Sequence, residues 1–591
     1  MSTVSRRSFL RSAAAGAAVL GLAGAGVAFA DEAEEAVEGE EAAAEEAAED
    51  EEAAAEESSS TPMMSFSNSG YDPEDYPDPS SWRTAPDPIT DDQCAEEYTA
   101  DVIIVGEGHY GITCARYLCD NSDKSVIVIE MQDESSFAPL GNEWTQLNSE
   151  FGFTYAGFDY YDPVEFQQNW MTLTGNQPNP KLIMNYAQYS GAATDMYLQD
   201  LTEDDIATIT YNFNDYRDVM LSEMGPIKFY TSCISPYGTC NESAIHAYNR
   251  EACIAKGAQW FFSTKGEQLI TDDEGAVIGV YAQNTSDETY IRFNANVAVV
   301  LATGGFGGNG NMCLDLLTDL TDAFVDGEQI SVMLDRDGSG IQMGYWAGGR
   351  IQAGSIATMN GKHASPGNPQ NIWLDENGLR YTNEYVGSVE FRGRPTASMP
   401  RDTFYIVYDS TYPDLMVNCL PTHNASEPTE SSIESARTAI ETAYAAGAEG
   451  SGGTYAADTL EEVFTYVGMS DEVKANALSE IEKWNQYCEE GADQEFGRWS
   501  NTLWPISTPP YVCKTASASI GTLMCTNGGL ETDGNCRVVG ADYRPIQGLF
   551  AGGNCGGNRF GYDYFTPGPG VSIGTCLTLG YCTGKYIAEN M

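Results

Sequence analysis

Ala100-Asp101-Val102-Ile103-Ile104-Val105-Gly106-Glu107-Gly108-His109-Tyr110-Gly111 is the stretch that decides the fold. Its first half is a β-branched apolar run, the pattern of a strand buried on both faces. Its second half is a G-x-G-x-x-G, and the residues that follow, Ile112 to about Asp120, have helical spacing. Ser125-Val126-Ile127-Val128-Ile129 reads as a second strand and ends in Glu130. In this strand–turn–helix–strand–acid order each glycine has a task. Gly106 makes the tight turn, Gly108 lets a pyrophosphate approach the backbone, and Gly111 lets helix and strand pack closely. The helix start offers free N–H groups and the positive end of its dipole to phosphate. Glu130 can accept hydrogen bonds from a ribose 2′-OH and would repel a 2′-phosphate, which disfavours NADP. A glycine-rich turn that binds nothing has the same letters, but this setting argues for a dinucleotide on an α/β fold.

Further along, residues 267–300 alternate like a small antiparallel meander with a turn at Asp272-Asp273-Glu274-Gly275. The meander runs out through Leu301 into Ala302-Thr303-Gly304-Gly305-Phe306-Gly307. Pro545 to Ala551 is another strand ending in glycines, Gly552-Gly553-Asn554, and Pro567-Gly568-Pro569-Gly570-Val571-Ser572-Ile573 opens a C-terminal helix. Strand ends from distant sequence are expected to converge on one elongated cofactor.

The chain has 591 residues, with 87 Asp+Glu against 29 Lys+Arg and a formal net charge of −58. This length implies more than one domain, and the charge excludes nucleic acid and anionic membrane surfaces as partners. Residues 1–30 read as an address. Arg6-Arg7-Ser8-Phe9-Leu10, a weakly apolar run and Ala28-Phe29-Ala30 fit a twin-arginine signal cleaved after Ala30. That implies export to the periplasm or the outer face of the cytoplasmic membrane, by a route that carries folded, cofactor-loaded proteins. Residues 31–97 are expected to be a disordered lead-in, first acidic and then rich in Pro and Ser, with the globular body starting near Tyr98. No later segment is long and apolar enough to span a bilayer. The 15 cysteines contain no C-x-x-C pair, which excludes the spacings of c-type haem, zinc ribbons and ferredoxins, and they read as mostly buried thiols. With 4 histidines no metal site is expected, and His109 is read as lying over the pyrophosphate or facing solvent.

Together the G-x-G-x-x-G with its acid, the A-T-G-G-F-G segment and Ile546-Gln547-Gly548-Leu549-Phe550-Ala551-Gly552-Gly553-Asn554 resemble the flavoprotein-subunit superfamily of fumarate reductase and succinate dehydrogenase. That superfamily also holds urocanate reductase and 3-ketosteroid Δ1-dehydrogenase. The resemblance covers about residues 98–591 and implies FAD. It implies a Rossmann-like FAD-binding domain over 98–345 and 501–591, with an inserted, mobile α+β capping domain over 346–500. The expected FAD contacts are Gly106, Gly108, Gly111, Glu130, Ala302, Thr303, Gly304, Gly305, Gly553, Asn554, Gly570, Ser572 and Ile573. Some members tie FAD to a histidine after the second strand. This chain has none between His109 and His246, so non-covalent FAD is expected.

The resemblance also frames the chemistry. In fumarate-reducing members a cap Arg, just after a strand ending in Phe-Asp, donates the proton. Here the strand Phe404 to Asp409 is followed by Ser410-Thr411-Tyr412, without that Arg. Asn383-Glu384 is kept, whereas Arg392, Arg394 and Arg401 are off register, and His363 and His423 do not match the dicarboxylate-holding pair. Asn558-Arg559-Phe560-Gly561 resembles the segment whose Arg grips a substrate carboxylate, while Tyr562 to Gly568 resembles the stretch whose Tyr holds a ketone in the ketosteroid branch. The catalytic candidates are therefore Tyr412, Tyr564, Arg559 and Glu384. A buried aromatic or a structural ion pair is the plainer fate of each. The expected activity is reduction of an activated C=C, with a substrate larger than fumarate, as a terminal reductase of anaerobic respiration. Electrons would come from a separate cytochrome or quinol-linked membrane protein. A Δ1-desaturase and a non-catalytic flavin electron carrier are the alternatives.

Overall fold

The structure is a computed structural model that describes residues 75–212, 230, 232–320, 335–359, 372–384, 396, 399–400, 403–416, 430–517, 523–565 and 567–591. The signal segment, the acidic tether, His363, Arg392, Arg394, Arg401 and His423 lie outside the described residues. By contacts the chain divides into Met1–Met63 with Thr429–Ser432, of which only Glu430–Ser432 are described, and Met64–Pro428 with Ile433–Met591, which carries the architecture below.

The quoted stretch forms strand β1 (Cys94–Val105) and helix α1 (His109–Asn121), followed by β2 (Val126–Ile129). Val102, Ile103 and Ile104 are fully buried, as their apolar run requires. Helices α2 (Pro180–Leu198) and α3 (Glu242–Ala255) lead to β3 (Gln259–Phe261). The meander is β4 (Thr264–Thr271), β5 (Val277–Asn284) and β6 (Tyr290–Leu301), antiparallel in sequence order. β6 also runs parallel to β1 along nearly the whole of it, which explains why β1 starts well before the apolar run.

The body begins earlier than the composition suggests. Residues 75–97 are not a loose lead-in. Trp82 is buried in the core, its indole N–H donates to Asp315 at 2.8 Å, and Trp346 donates to the Trp82 carbonyl at 2.9 Å. One large aromatic anchors a segment whose Pro, Ser and Asp content alone predicts an unpacked chain.

A second sheet is built from β7 (Ile372–Leu374), β8 (Thr403–Asp409), β9 (Thr454–Ala457) and β10 (Tyr511–Ser517), all pairings antiparallel, in the order β7-β8-β10-β9. Helices α4 (Glu430–Ala446) and α5 (Asp471–Glu490) accompany it, as the Ala/Glu/Leu spacing of 430–490 predicts. Ala357–Thr358 pairs with Thr526–Asn527 of the returning chain, and Tyr511–Ser517 pairs with β8 along its whole length. The strands of this second, antiparallel sheet are thus drawn from Ile372–Leu374 to Tyr511–Ser517.

The chain returns through β11 (Arg537–Val539) and β12 (Pro545–Ala551) and ends in α6 (Val571–Asn590). The main sheet reads β11-β12-β6-β1-β2-β3, parallel from β12 to β3. Helices α1 and α6 cover one face, where Tyr110 bonds Thr583 at 2.6 Å. Every described cysteine is a free thiol. Among the described residues no helix is long and apolar enough to cross a membrane.

Candidate functional site

Register places the site. Val105 lies beside Ile129 and Leu301, and Leu301 beside Ala551, so the parallel strands end level and discharge their loops side by side. Residues 106–111, Glu130, 302–307 and 552–554 thus meet at the carboxyl edge of the sheet, the place where open α/β sheets bind ligands. The first loop is closed on one side and open on the other. A Cβ on Gly111 would stand 2.1 Å from the Gly106 carbonyl oxygen, and one on Gly106 (φ +102°) 2.5 Å from that of Ala302. A Cβ on Gly108 would meet only the Ala302 oxygen, at 3.7 Å. Gly108 caps α1, and among the described residues no side-chain cap bonds the first turn. This is a cradle with donors and room for a pyrophosphate.

The acidic end of β2 supports the loop from below. Glu130 is buried, and its two oxygens accept from the Glu107 N–H and the Gln132 N–H, each at 2.9 Å. The lone pairs left over are those available to a ribose. Glu107, inside the motif, points into the protein. It pairs with Arg250 at 2.8 Å and accepts from the Trp260 indole at 2.7 Å. Burial pushes its carboxyl up to about 8, with the Glu130 charge adding and Arg250 and Trp260 opposing.

At the other end, α6 starts at Gly570 (φ +67°), again without a side-chain cap. Ser572 donates to Asn527 Oδ1 at 2.9 Å, and the Ile573 side chain fills the space beside Gly141. Between the two ends lies the Thr303-Gly304-Gly305 turn, where Thr303 Oγ1 is buried without a hydrogen-bond partner. Asp335 ties this turn to the returning chain, accepting from Gly307 N at 2.8 Å and from Thr526 N and Oγ1 at 2.8 and 2.7 Å. Burial raises its carboxyl, against those hydrogen bonds. Two helix starts without side-chain caps and an open glycine along one edge fit a long dinucleotide with an anionic middle. Asn527, Thr526, Asp335 and Arg250 were not visible as site residues in the sequence, since single polar residues far apart carry no pattern.

The catalytic candidates fall into separate surroundings. Tyr412 opens a short helix (Tyr412–Leu415) directly after β8, half-buried, its ring 5.0 Å from that of Tyr408. Tyr564 is buried in an aromatic cluster with Trp170, Phe166 and Phe565, its ring 4.6 Å from that of Phe560. Glu384 is fully buried as a clamp within the inserted region. It accepts from Arg380 Nε and Nη2 at 2.7 and 2.8 Å and lies 3.3 Å from Arg498 Nη1, and both guanidinia stand over Trp484. Its carboxylate is engaged in structure and not exposed to a substrate. Arg559 is buried where the C-terminal segment folds back. Nη1 donates to Thr575 Oγ1 at 2.7 Å and Nη2 to Asn554 Oδ1 at 2.6 Å, so the fork braces the C-terminal segment.

His109 is buried and does not face solvent. Its ring meets that of His246 edge-on at 4.9 Å, and its Nε2 stands 3.5 Å from Glu242 Oε2. The side chain follows α1 inward toward α3.

The FAD binding domain family matches residues 101–573 of this chain. The 4-oxocyclohexanecarboxylate 2-dehydrogenase of Sinomonas cyclohexanicum is 27% identical over 58% of this chain and 60% of its own length. The urocanate reductase of Eggerthella lenta is 28% identical over 55% of this chain and 50% of its own length. The chain thus spans less than two thirds of either relative. The solved structure of the 3-ketosteroid-Δ4-(5α)-dehydrogenase from Rhodococcus jostii aligns with a TM-score of 0.58 at 20% identity, covering 85% of this chain and all of that one, a likeness of fold.

Proposed function

This chain belongs to the FAD binding domain family, and from that premise we propose that it is an exported, FAD-dependent reductase of an activated C=C bond. The observation that carries this reading is the level ending of β2, β1, β6 and β12 between two uncapped helix starts, α1 and α6. The relatives support it, since the names of two of them denote oxidoreduction of small unsaturated or ring acids. When bound and reduced by the electron donor, the flavin would supply a hydride to one carbon of the double bond. The chain's residues do the rest. Gly106, Gly108 and the α1 N-terminus hold the pyrophosphate, and Glu130 holds the adenosine ribose. Gly304, Gly305, Gly553 and the α6 start at Gly570 hold the flavin, without a covalent bond. The α6 N-terminus and Arg559 place positive potential where negative charge develops. Tyr412, at the expected proton-donor position, protonates the neighbouring carbon.

A panel of unsaturated acids, aromatic acrylates and enones, assayed by oxidation of reduced viologen, tests the reading. We expect turnover of a larger conjugated acid or enone and little of fumarate, because the proton-donor position lacks a cation for a second carboxylate. Strong turnover of fumarate alone would contradict the substrate class. No substrate-dependent oxidation at all would leave a flavin electron carrier. Activity only toward oxidised acceptors with a saturated ketone would make the enzyme a desaturase. Tyr412→Phe is expected to lower kcat by about 10²-fold with FAD content unchanged; an unchanged kcat moves the donor to Tyr564.

In the cell the enzyme is proposed to work outside the cytoplasmic membrane as a terminal reductase fed by a cytochrome or quinol-linked partner. Replacing Arg6 and Arg7 by Lys is expected to hold the protein in the cytoplasm, read by fractionation. Normal export of that variant would remove the twin-arginine assignment. Acid precipitation is expected to release the flavin into the supernatant; yellow colour staying with the pellet would mean a covalent bond.

A further inference from the structure

Beneath the phosphate loop, on the side away from the open glycine, α1, α2 and α3 enclose a polar cluster that the reductase reading does not use. His109 comes from the loop and α1, Tyr197 from α2, and Glu242 and His246 from successive turns of α3. Their relative exposures are 7%, 1%, 2% and 0%. In a chain with 4 histidines, two are brought into ring contact here. One nitrogen of each ring and a carboxylate oxygen of Glu242 lie within 4.8 Å of one another.

The hydrogen bonds inside the cluster are lopsided. The Tyr197 hydroxyl is 2.7 Å from both Glu242 Oε2 and His246 Nδ1, and His246 Nδ1 is also 3.1 Å from the Glu242 carbonyl oxygen. That carbonyl can only accept, and in the tautomer that donates Nδ1–H to it, Nε2 presents a bare lone pair. His246 Nε2, His109 Nε2 and Glu242 Oε1 are all buried without a hydrogen-bond partner. Three orphaned polar atoms in one pocket are costly, and native interiors do not keep them without a reason.

We propose that His109, Glu242 and His246 form a binding site for a divalent cation of the zinc class. The donor set is two imidazoles and one carboxylate, with a fourth position for water or the Tyr197 oxygen. The surroundings match what such a site needs. The His246 Nδ1–H is fixed by a carbonyl, the usual outer partner of a metal-bound imidazole. Tyr197 orients the Glu242 carboxylate in the same way. Arg250 lies nearby but is occupied by Glu107, which leaves Glu242 as the anion facing the two rings. Because His109 belongs to the phosphate loop, a cation here ties the loop to α3 and adds positive charge behind the pyrophosphate cradle.

The test uses the full-length, FAD-loaded protein. It is treated with a chelator, incubated with zinc chloride, gel-filtered and assayed for metal by mass spectrometry, with zinc K-edge absorption to identify the ligands. We expect stoichiometric zinc with N/O ligands at about 2.0–2.2 Å and imidazole backscattering. Glu242→Gln and, separately, His246→Gln should each lower zinc affinity by about tenfold or more while flavin content is retained. Wild-type protein that keeps no zinc overturns the proposal, as does zinc whose spectrum lacks imidazole. Zinc retained undiminished by both variants overturns it too. If either variant loses flavin and fold, the wild-type spectrum still decides.

Discussion

Gly108→Val should give a folded protein without flavin, and Gly111→Val a protein that does not fold properly. The two glycines lie three positions apart in one motif, yet the structure gives them opposite surroundings. A Cβ at Gly108 meets a single oxygen at 3.7 Å, ordinary contact, so the empty protein accommodates a side chain there. The space it fills is the space the pyrophosphate needs. Losing two or more charge-assisted hydrogen bonds at about 1.5–3 kcal/mol each weakens FAD binding by about 10²-fold at the least, and activity goes with it. At Gly111 the Cβ would overlap the Gly106 carbonyl oxygen at 2.1 Å and press on Ala302 at 3.2 Å. That is backbone against backbone at the crossing of α1 and the sheet, where neither side can yield without opening the core. Flavin content by absorbance and the far-UV melt separate the two outcomes. Gly108→Val with full flavin would show that the cofactor does not use this loop.

The pair also shows what kind of information the sequence carried. The motif around Gly106, Gly108 and Gly111, the meander over 264–301 and the glycine-ended strand Pro545–Ala551 were legible because each is a local pattern with one physical solution. Their convergence was legible too, since three such strand ends have a common use. What composition could not reveal was anything decided by a single distant contact. Trp82 sits in a stretch of Pro, Ser and Asp, and only its burial makes that stretch part of the body. Strand Tyr511–Ser517 belongs to the inserted sheet because of its partner, β8, and not because of its own residues. Polar residues are harder still. Likeness marks Glu384 and Arg559 as site candidates, but no pattern in the sequence announces their partners, Arg380 and Arg498 for Glu384 and Thr575 and Asn554 for Arg559. His109 is the reverse case: an odd letter inside a glycine motif acquires meaning only when α3 brings His246 and Glu242 to it.

Arg559→Met is expected to leave the apoprotein nearly as stable as the wild type and to lower turnover by about 10²–10³-fold. The split follows from how the cation is housed. Arg559 is 1% exposed, and its partners are the neutral acceptors Asn554, Asn527, Thr575, the Ser572 carbonyl and the Cys576 sulfur. Among the described residues no carboxylate pairs with it, and its Nε has no hydrogen-bond partner. Burying an unpaired ion costs several kcal/mol, so removing the charge returns that amount. Against this, leaving Asn554 and Thr575 unsatisfied costs about 1–3 kcal/mol each, and the two contributions nearly cancel. Nothing cancels the loss in the loaded enzyme. The α6 start and the Gly553-Asn554 turn, which Arg559 joins, are the proposed seat of the flavin edge, and this unpaired cation is the chain's answer to negative charge arriving there. Its removal should lower the flavin midpoint potential, by about 30 mV for each tenfold loss in relative affinity for the reduced form. Arg559→Lys keeps the charge but not the fork, and should recover most of the potential with a lower melting temperature. Calorimetry of the apoprotein, a redox titration of the holoenzyme and the viologen assay read the three quantities independently. A large fall in apoprotein stability with an unchanged potential would make Arg559 a brace and nothing more.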